Sequence, residues 1–245
     1  MTTCVIIPAR LKSRRLFNKP LFKINNESII NLTIKKILKV YPKKNIFVAT
    51  DDKLVAKSCR HLVNGIIISR KKFLNGTQRS SHAVDKIKKK YSGFLIISCD
   101  MPFLNYKILK FLEKNYNKYK RKNLKTIYTI HSETYKKKDV ENKNIAKIVT
   151  GYDNEILYFS RNKIPSNIQK LRNQKFLTHH GIVMMNRDNL SIYKKLQNTK
   201  LQLAEDNEWL KFIENGIRIK SFLVKKINPE INTLKDVRKL IKIYK

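Results

Sequence analysis

No apolar run in this chain approaches the roughly 18 residues that a membrane-crossing helix needs, so no segment is a candidate transmembrane helix. Nor does a charged-then-apolar signal segment precede the first apolar run, and a cytoplasmic protein is expected. Cysteine is scarce: Cys4, Cys59 and Cys99 are scattered, odd in number and without metal-ligand spacing. That argues against a disulfide framework or a zinc site, and for buried reduced thiols. Internal repeats and linker-like stretches are absent too, so one continuous domain over 1–245 is expected. Acid is also in short supply, with 18 Asp and Glu against 54 Lys and Arg, a formal net charge of +36.

Such an excess admits nucleic acid, an anionic membrane surface or anionic small substrates as partners. Yet the lysines run through the whole chain beside abundant Ile and Asn. Clusters such as Lys35-Lys36, Lys88-Lys89-Lys90 and Lys136-Lys137-Lys138 form neither one tail nor one helix face. A compositional bias accounts for this without any partner. Neither a basic amphipathic helix nor an RNA-binding motif with interleaved aromatics is found, and no specific nucleic-acid partner is expected.

What is present is an α/β pattern. Apolar residues make up 42% of 245, enough for a sizeable core. Short apolar runs at 3–8, 45–49, 65–69 and 94–99 read as strands, and they alternate with amphipathic segments at 28–40, 53–61, 79–91 and 106–117. In the first helix Ile29, Ile30, Ile34, Ile37 and Leu38 recur at helical spacing. The second half changes character. Strands are expected at 126–131, 145–150, 156–160 and 181–185, with irregular polar stretches at 133–144 and 166–176. A helix at 203–215, ended by Gly216, a strand at 217–224 and a last helix from Thr233, with a capping-box-like Asp236, complete the chain.

Candidate chemistry lies at strand ends. After Val5-Ile6-Ile7-Pro8-Ala9 come five cationic side chains, Arg10, Lys12, Arg14, Arg15 and Lys19, before any helix begins. In open α/β sheets ligands sit beyond the carboxyl ends of the strands. A basic loop there is either simply solvated or a polyphosphate cradle, and its position favours the latter. Asp100, at the end of Ile96-Ile97-Ser98-Cys99-Asp100, stands where a carboxylate can hold Mg²⁺ against a triphosphate. In Asn75-Gly76-Thr77-Gln78-Arg79 a glycine permits close backbone approach, and a helix N-terminus with Arg79 favours an anion. Tyr158 and Phe159 alternate across a strand and read mainly as core residues. Arg161 emerges at its end, fit to pair a carboxylate. His179-His180 lacks a carboxylate at metal-ligand spacing, so a hydrogen-bonding His179 is expected. Glu205 and Glu208, three apart, are expected on one helix face.

These stretches resemble the 3-deoxy-manno-octulosonate (Kdo) cytidylyltransferases. The opening Ile-Pro-Ala-Arg, then Ser, Arg, Leu and Lys-Pro-Leu, and the later Leu157-Tyr158-Phe159-Ser160-Arg161 with Ile164-Pro165, carry the likeness, which runs nearly the whole chain. It implies a Rossmann-like nucleotidyltransferase fold with a mostly parallel central sheet and a smaller inserted β-rich region, about 126–200, for substrate and dimer contacts. It implies a homodimer that activates Kdo with CTP for lipopolysaccharide precursor synthesis. Pro8, Ala9, Arg10, Ser13, Arg15, Lys19, Gly76, Thr77 and Arg79 would bind the nucleotide, with Arg10, Arg15, Lys19 and Asp100 catalytic. Asp100 and Asn232 would hold Mg²⁺. Ser98, Arg161, His179, Glu205 and Glu208 would bind the sugar acid.

Departures from the family pattern are specific. Phe17-Asn18 stands for Pro-Gly, and Asn is the substitute that best tolerates a left-handed backbone. Ser98 replaces a Gln, Met101 a Glu and Trp209 another Gln, all on the acceptor side. Asn232 replaces an Asp, keeping an oxygen ligand but not its charge. Cys99-Asp100-Met101-Pro102-Phe103 is also similar to guanylyltransferases of molybdenum cofactor. A transferase for a different sugar acid and an impaired relative are therefore the competing readings, and a basic nucleic-acid-binding protein comes after them.

Overall fold

The computed structural model describes residues 2–12, 16–120, 125–225 and 230–244. The elements in chain order are β1 (Thr3–Ala9), β2 (Lys23–Ile24), β3 (Glu27–Ser28), α1 (Ile29–Leu38), β4 (Ile46–Thr50), α2 (Lys53–Cys59), β5 (Gly65–Ile68), α3 (Gly76–Asp85), β6 (Gly93–Ile97) and α4 (Lys107–Tyr119). Then follow β7 (Ile127–Thr134), α5 (Lys137–Val140), β8 (Lys147–Thr150), β9 (Ile156–Ser160), β10 (Phe176–Met185), α6 (Arg187–Lys195), α7 (Lys200–Ala204), α8 (Leu210–Glu214), β11 (Ile219–Leu223) and α9 (Leu234–Tyr244). The chain divides into two compact units: Met1–Phe111 with Asn228–Lys245, and Leu112–Ile227.

In the first unit four strands lie in the order β6-β1-β4-β5, all parallel. Burial on both faces explains their unbroken apolar runs: Val5, Ile6 and Ile7 of β1 and Phe94, Leu95 and Ile97 of β6 are fully buried. The apolar stripe expected on α1 is present, with Ile29, Ile30, Ile34 and Ile37 inaccessible. A small core of Leu16, Ile24, Ile29, Ile231, Val237 and Leu240 packs α9 beside the segment after β1. That packing returns the end of the chain to the basic loop.

In the second unit the order is β11-β7-β10-β8-β9. β11 is parallel to β7, and the other pairs are antiparallel. Two strands outrun expectation. β7 continues to Thr134, into residues read as irregular, because Glu133 and Thr134 pair with Leu177 and Phe176. β10 begins at Phe176 rather than Gly181, and a register shift between His179 and Val183 absorbs the glycine.

Two helices also differ. α3 starts three residues before the expected 79, because Asn75 accepts a hydrogen bond from the Gln78 amide (2.9 Å) and caps the helix there. It ends at Asp85, where the Ile87 amide turns to the Val84 carbonyl. The single helix expected over 203–215 is two, α7 and α8. Asp206 takes a left-handed backbone (φ 46°) and Asn207 Oδ1 then accepts from the Trp209 amide (3.1 Å). Gly216 (φ 71°) does follow the last turn of α8. All three cysteines are buried and free. Among the described residues no helix is long and apolar enough to cross a membrane.

Candidate active site

The first unit carries the phosphate-side candidates. β1 delivers half-buried Pro8 and buried Ala9 to its carboxyl end, and Arg10 follows, exposed. Ser13 and Arg15 lie outside the described residues. Beyond them a single 3-10 turn, Lys19–Leu21, is entered through Asn18, whose φ of 48° and ψ of 36° are left-handed. Asn thus does the work expected of the missing glycine.

That turn aims Lys19 inward. Its ammonium pairs with the Asp100 carboxylate and donates to Asn232 Oδ1 at 3.2 Å. The Lys19 and Asp100 side chains are only 13% and 6% exposed. Burial, the largest single effect, pushes the Lys19 ammonium down, but the facing Asp100 carboxylate together with Cys99 and Glu230 outweighs it and holds the ammonium above its ordinary value. Asp100 lies three residues past the end of β6, and its carbonyl accepts the Ile231 amide at 2.9 Å, which brings Asn232 alongside. The Asp236 carboxylate caps α9 by accepting the Asn232 and Thr233 amides (3.0 and 2.8 Å), and the Asp236 amide returns to Thr233 Oγ1. This is the expected capping box, and it fixes the Asn232 backbone.

Asp100 Oδ1 is buried and has no hydrogen-bond partner among the described residues. An ionised oxygen left so is costly unless something cationic meets it. With Asn232 Oδ1 it makes a pair of hard oxygen donors, the ligand type that suits Mg²⁺. The donors present therefore fit a divalent cation.

Gly76 and Thr77 are the first two residues of α3. Arg79 is buried, lies over the Phe73 ring at 5.1 Å and pairs through Nη2 with Asp51 Oδ2 at 3.1 Å. Its Nη1 is buried with no partner among the described residues. Ser98, half-buried just past β6, also belongs to this unit.

The second unit carries the other acceptor-side candidates. His179, on β10, has its Nε2 2.9 Å from Thr129 Oγ1, and that hydroxyl donates to the Ile182 carbonyl at 2.9 Å. The hydroxyl's one proton being spent, Nε2–H is the donor to Thr129. The imidazole packs edge-on to Phe159 (5.1 Å) and near Trp209 (6.1 Å). Burial, then His180, His131 and Arg161, push His179 down to about 3, so it is a neutral hydrogen-bonding ring, as expected. His180, bonded to Ser132 Oγ at 2.8 Å, is lowered by burial to about 4.

Arg161 and Glu205 are tied together. The Glu205 carboxylate accepts from Ser160 Oγ (2.8 Å), the Arg161 amide (2.7 Å) and Tyr158 Oη (3.5 Å). The Arg161 guanidinium donates to three carbonyls, those of Asn144 (3.1 Å), Glu205 (3.4 Å) and Asp206 (2.9 Å). It clamps two loops to the end of β9. Glu208 is half-buried, but the break at Asp206 means that Glu205 and Glu208 do not share a helix face. That expectation is corrected.

Two residues with a part in these networks carried no role in the sequence reading. Asp51 stands directly beyond β4, the same signal that marked Asp100 beyond β6. Lys147 is fully buried and donates to the carbonyls of Asn142 (2.9 Å), Ile145 (2.7 Å) and Arg161 (2.5 Å). The one sequence signal at Lys147 is its place in Asn144-Ile145-Ala146-Lys147-Ile148-Val149, a stretch that resembles the Asn-x-x-Lys-x-Val of the Kdo cytidylyltransferases.

Residues 4–225 match the family described as Cytidylyltransferase. The chain is 32% identical over 237 residues to the mitochondrial 3-deoxy-manno-octulosonate cytidylyltransferase of Arabidopsis thaliana, covering 96% of this chain and 80% of that protein. It is 31% identical over 215 residues to the 3-deoxy-manno-octulosonate cytidylyltransferase of Fusobacterium nucleatum, covering 88% and 85%. In structure it is similar to a CMP:2-keto-3-deoxy-manno-octonic acid synthetase complexed with CTP, with a TM-score of 0.87, 25% identity and full coverage of both chains. The fold is the Rossmann-like α/β nucleotidyltransferase fold. Cytidylyltransferases of this kind generally use a divalent metal.

Proposed function

The chain belongs to the cytidylyltransferase family that includes the 3-deoxy-manno-octulosonate cytidylyltransferases, and on that premise we propose that it joins CTP to Kdo, giving CMP-Kdo and pyrophosphate. The observation that carries this reading is the Lys19, Asp100 and Asn232 cluster beyond the carboxyl ends of parallel strands, with one buried carboxylate oxygen lacking a protein partner among the described residues. In the reaction the anomeric hydroxyl oxygen bonds to the α-phosphorus, the bond to the pyrophosphate breaks and its electron pair leaves on pyrophosphate, and the hydroxyl proton passes to solvent.

Each residue's part follows from its chemistry. Arg10, Ser13 and Arg15 are assigned to the polyphosphate, as are Pro8 and Ala9 at the end of β1. Lys19, already paired with Asp100, contributes a fixed positive charge on the phosphate side. Asp100 Oδ1 and Asn232 Oδ1 would hold Mg²⁺, which supplies neutralisation of phosphate charge when bound. Gly76, Thr77 and Arg79 are assigned to the base side of the nucleotide, and the buried Arg79 Nη1, without a partner among the described residues, supports this. Ser98, His179 and Glu208 are assigned to the sugar acid. Arg161 and Glu205 support that site, since their polar atoms hold its loops. Catalysis on this reading is positioning and charge neutralisation, not proton transfer by a poised base. A homodimer joined through the second unit is part of the proposal, and a cytoplasmic location suits three buried free thiols.

Pyrophosphate release tests the reading. Purified protein with Mg²⁺ is given CTP, ATP, GTP or UTP and Kdo or other nonulosonic and octulosonic acids. Turnover with CTP and Kdo above all other pairs is expected. Turnover with CTP and another acid moves the acceptor, as the changes at Ser98 and Trp209 allow. No turnover with any pair, in protein that binds CTP, overturns the activity and makes this an impaired relative.

A further inference from the structure

Asp51 touches both elements of the first unit to which nucleotide contacts are assigned. Its Oδ1 accepts the Leu11 amide at 3.3 Å, one residue after Arg10, and its Oδ2 accepts from Arg79 Nη2 at 3.1 Å. We infer that Asp51 is a positioning residue for the nucleotide: it couples the loop after β1 to the start of α3, setting Leu11 and Arg79 in one arrangement. The inference rests on the nucleotide reading of that loop and of Arg79.

Three observations carry it. First, Asp51 is itself held. Thr50 is fully buried at the end of β4, its carbonyl accepts the Ser69 amide at 3.0 Å, and its Oγ1 accepts the Asp52 amide at 3.2 Å. Asp52 caps α2 by accepting the Leu54 and Val55 amides (2.7 and 3.1 Å). The backbone is thus fixed on both sides of Asp51, and its partly exposed carboxylate (35%) is tied by the Leu11 amide and the Arg79 guanidinium. Second, Arg79 is 7% exposed at its side chain, and a buried guanidinium needs a counter-charge. Asp51 supplies one to Nη2, while Nη1 has no partner among the described residues. Third, the face of Phe73 below the guanidinium limits the directions in which Arg79 can turn. Held by a ring and a single carboxylate, Arg79 presents Nη1 in one direction, as a preorganised ligand donor must.

The division of the two carboxylate oxygens also separates the roles. Asp51→Asn keeps an oxygen for the Leu11 amide and removes the charge facing Arg79. Asp51→Ala removes both. The test measures CTP binding by calorimetry, and KM for CTP, KM for Kdo and kcat by pyrophosphate release, for wild type, Asp51→Asn, Asp51→Ala and Asp51→Glu. Thermal unfolding is recorded for each. Expected is a KM for CTP raised on the order of tenfold in Asp51→Asn and more in Asp51→Ala. KM for Kdo and kcat should stay within about twofold, and Asp51→Glu should recover part of the CTP affinity.

A lowered melting temperature with CTP binding unchanged in Asp51→Asn makes Asp51 a merely structural residue and overturns the inference. So does an equal rise in both KM values. Should Asp51→Ala fail to fold, Asp51→Asn, which keeps the volume and the Leu11 contact, decides alone. Wild-type protein that binds none of the four nucleoside triphosphates removes the nucleotide reading and the role of Asp51 with it. That result differs from wild-type binding with unaltered variants, which overturns Asp51 only.

Discussion

Replacing Lys147 by methionine tests whether the second unit is held by a buried ammonium. The residue is wholly inaccessible, and its three protons go to the carbonyls of Asn142, Ile145 and Arg161. Methionine keeps much of the volume and donates nothing. Leaving a buried carbonyl unpaired costs about 1–3 kcal/mol, so three together cost about 6 kcal/mol. Against this stands the relief of the buried charge. Burial, then the neighbouring Arg161, push the ammonium from 10.5 down to about 8, with Glu205 opposing. That corresponds to roughly 3 kcal/mol at neutral pH. The variant should therefore lose about 3 kcal/mol. Trp209, the only tryptophan, is buried on Phe212 in the same unit, so urea unfolding followed by its fluorescence reads the right region. The linkage gives a second check. The folded state holds fewer protons at Lys147 than the unfolded chain between pH 8 and 10.5, so wild-type stability gains there as pH rises, relative to the variant. A stability change under about 1 kcal/mol, with no widening of the difference above pH 8, would refute the reasoning.

Acid should weaken the same unit through His179 and His180. Both are lowered below 6.5, to about 3 and about 4, so the unfolded chain takes up protons first. Their contribution is whole above pH 6.5 and falls as pH drops towards 4, by about 2–4 kcal/mol between pH 7 and 5. Urea midpoints at pH 7, 6 and 5 measure this, and an equally steep acid limb in His179→Gln/His180→Gln sinks the assignment. Asn232→Asp places a second carboxylate beside Asp100 and Lys19, so the Mg²⁺ midpoint for turnover should fall on the order of tenfold. Mn²⁺ binding followed by paramagnetic resonance gives a reading independent of activity, and unchanged affinity by both methods removes Asn232 from the metal set.

Much of the fold was legible because burial on both faces leaves a plain signature. The runs ending at Pro8 and Ala9 and at Ile97 are parallel strands, and α1 follows its stripe of isoleucines. The capping box at Thr233 and Asp236 was readable for a similar reason, since it is a local exchange of two hydrogen bonds. Where the reading missed, a local contact overrode periodicity. Asn75 capped α3 early, and Asp206, turning left-handed, broke what looked like one helix into two. Strand β10 was read too short because its first half is half-polar, and only pairing with β7 and β8 makes it a strand.

The candidate site divides along the same line. By itself the sequence determined which residue types stand at strand ends: Arg10 after β1, Asp100 after β6, Arg161 after β9. Position along an alternating chain is a one-dimensional property, and chemistry follows side-chain type. Only the tertiary structure decided who meets whom. It set Lys19 against Asp100 and Asn232, 81 and 213 residues away along the chain. It turned the Arg161 donors to backbone carbonyls, set Asp51 between Leu11 and Arg79, and surrounded Lys147 with three carbonyls. At Lys19, Asp100, Arg79 and Lys147 burial leaves a charge or a donor no water to turn to, and burial belongs to the folded chain.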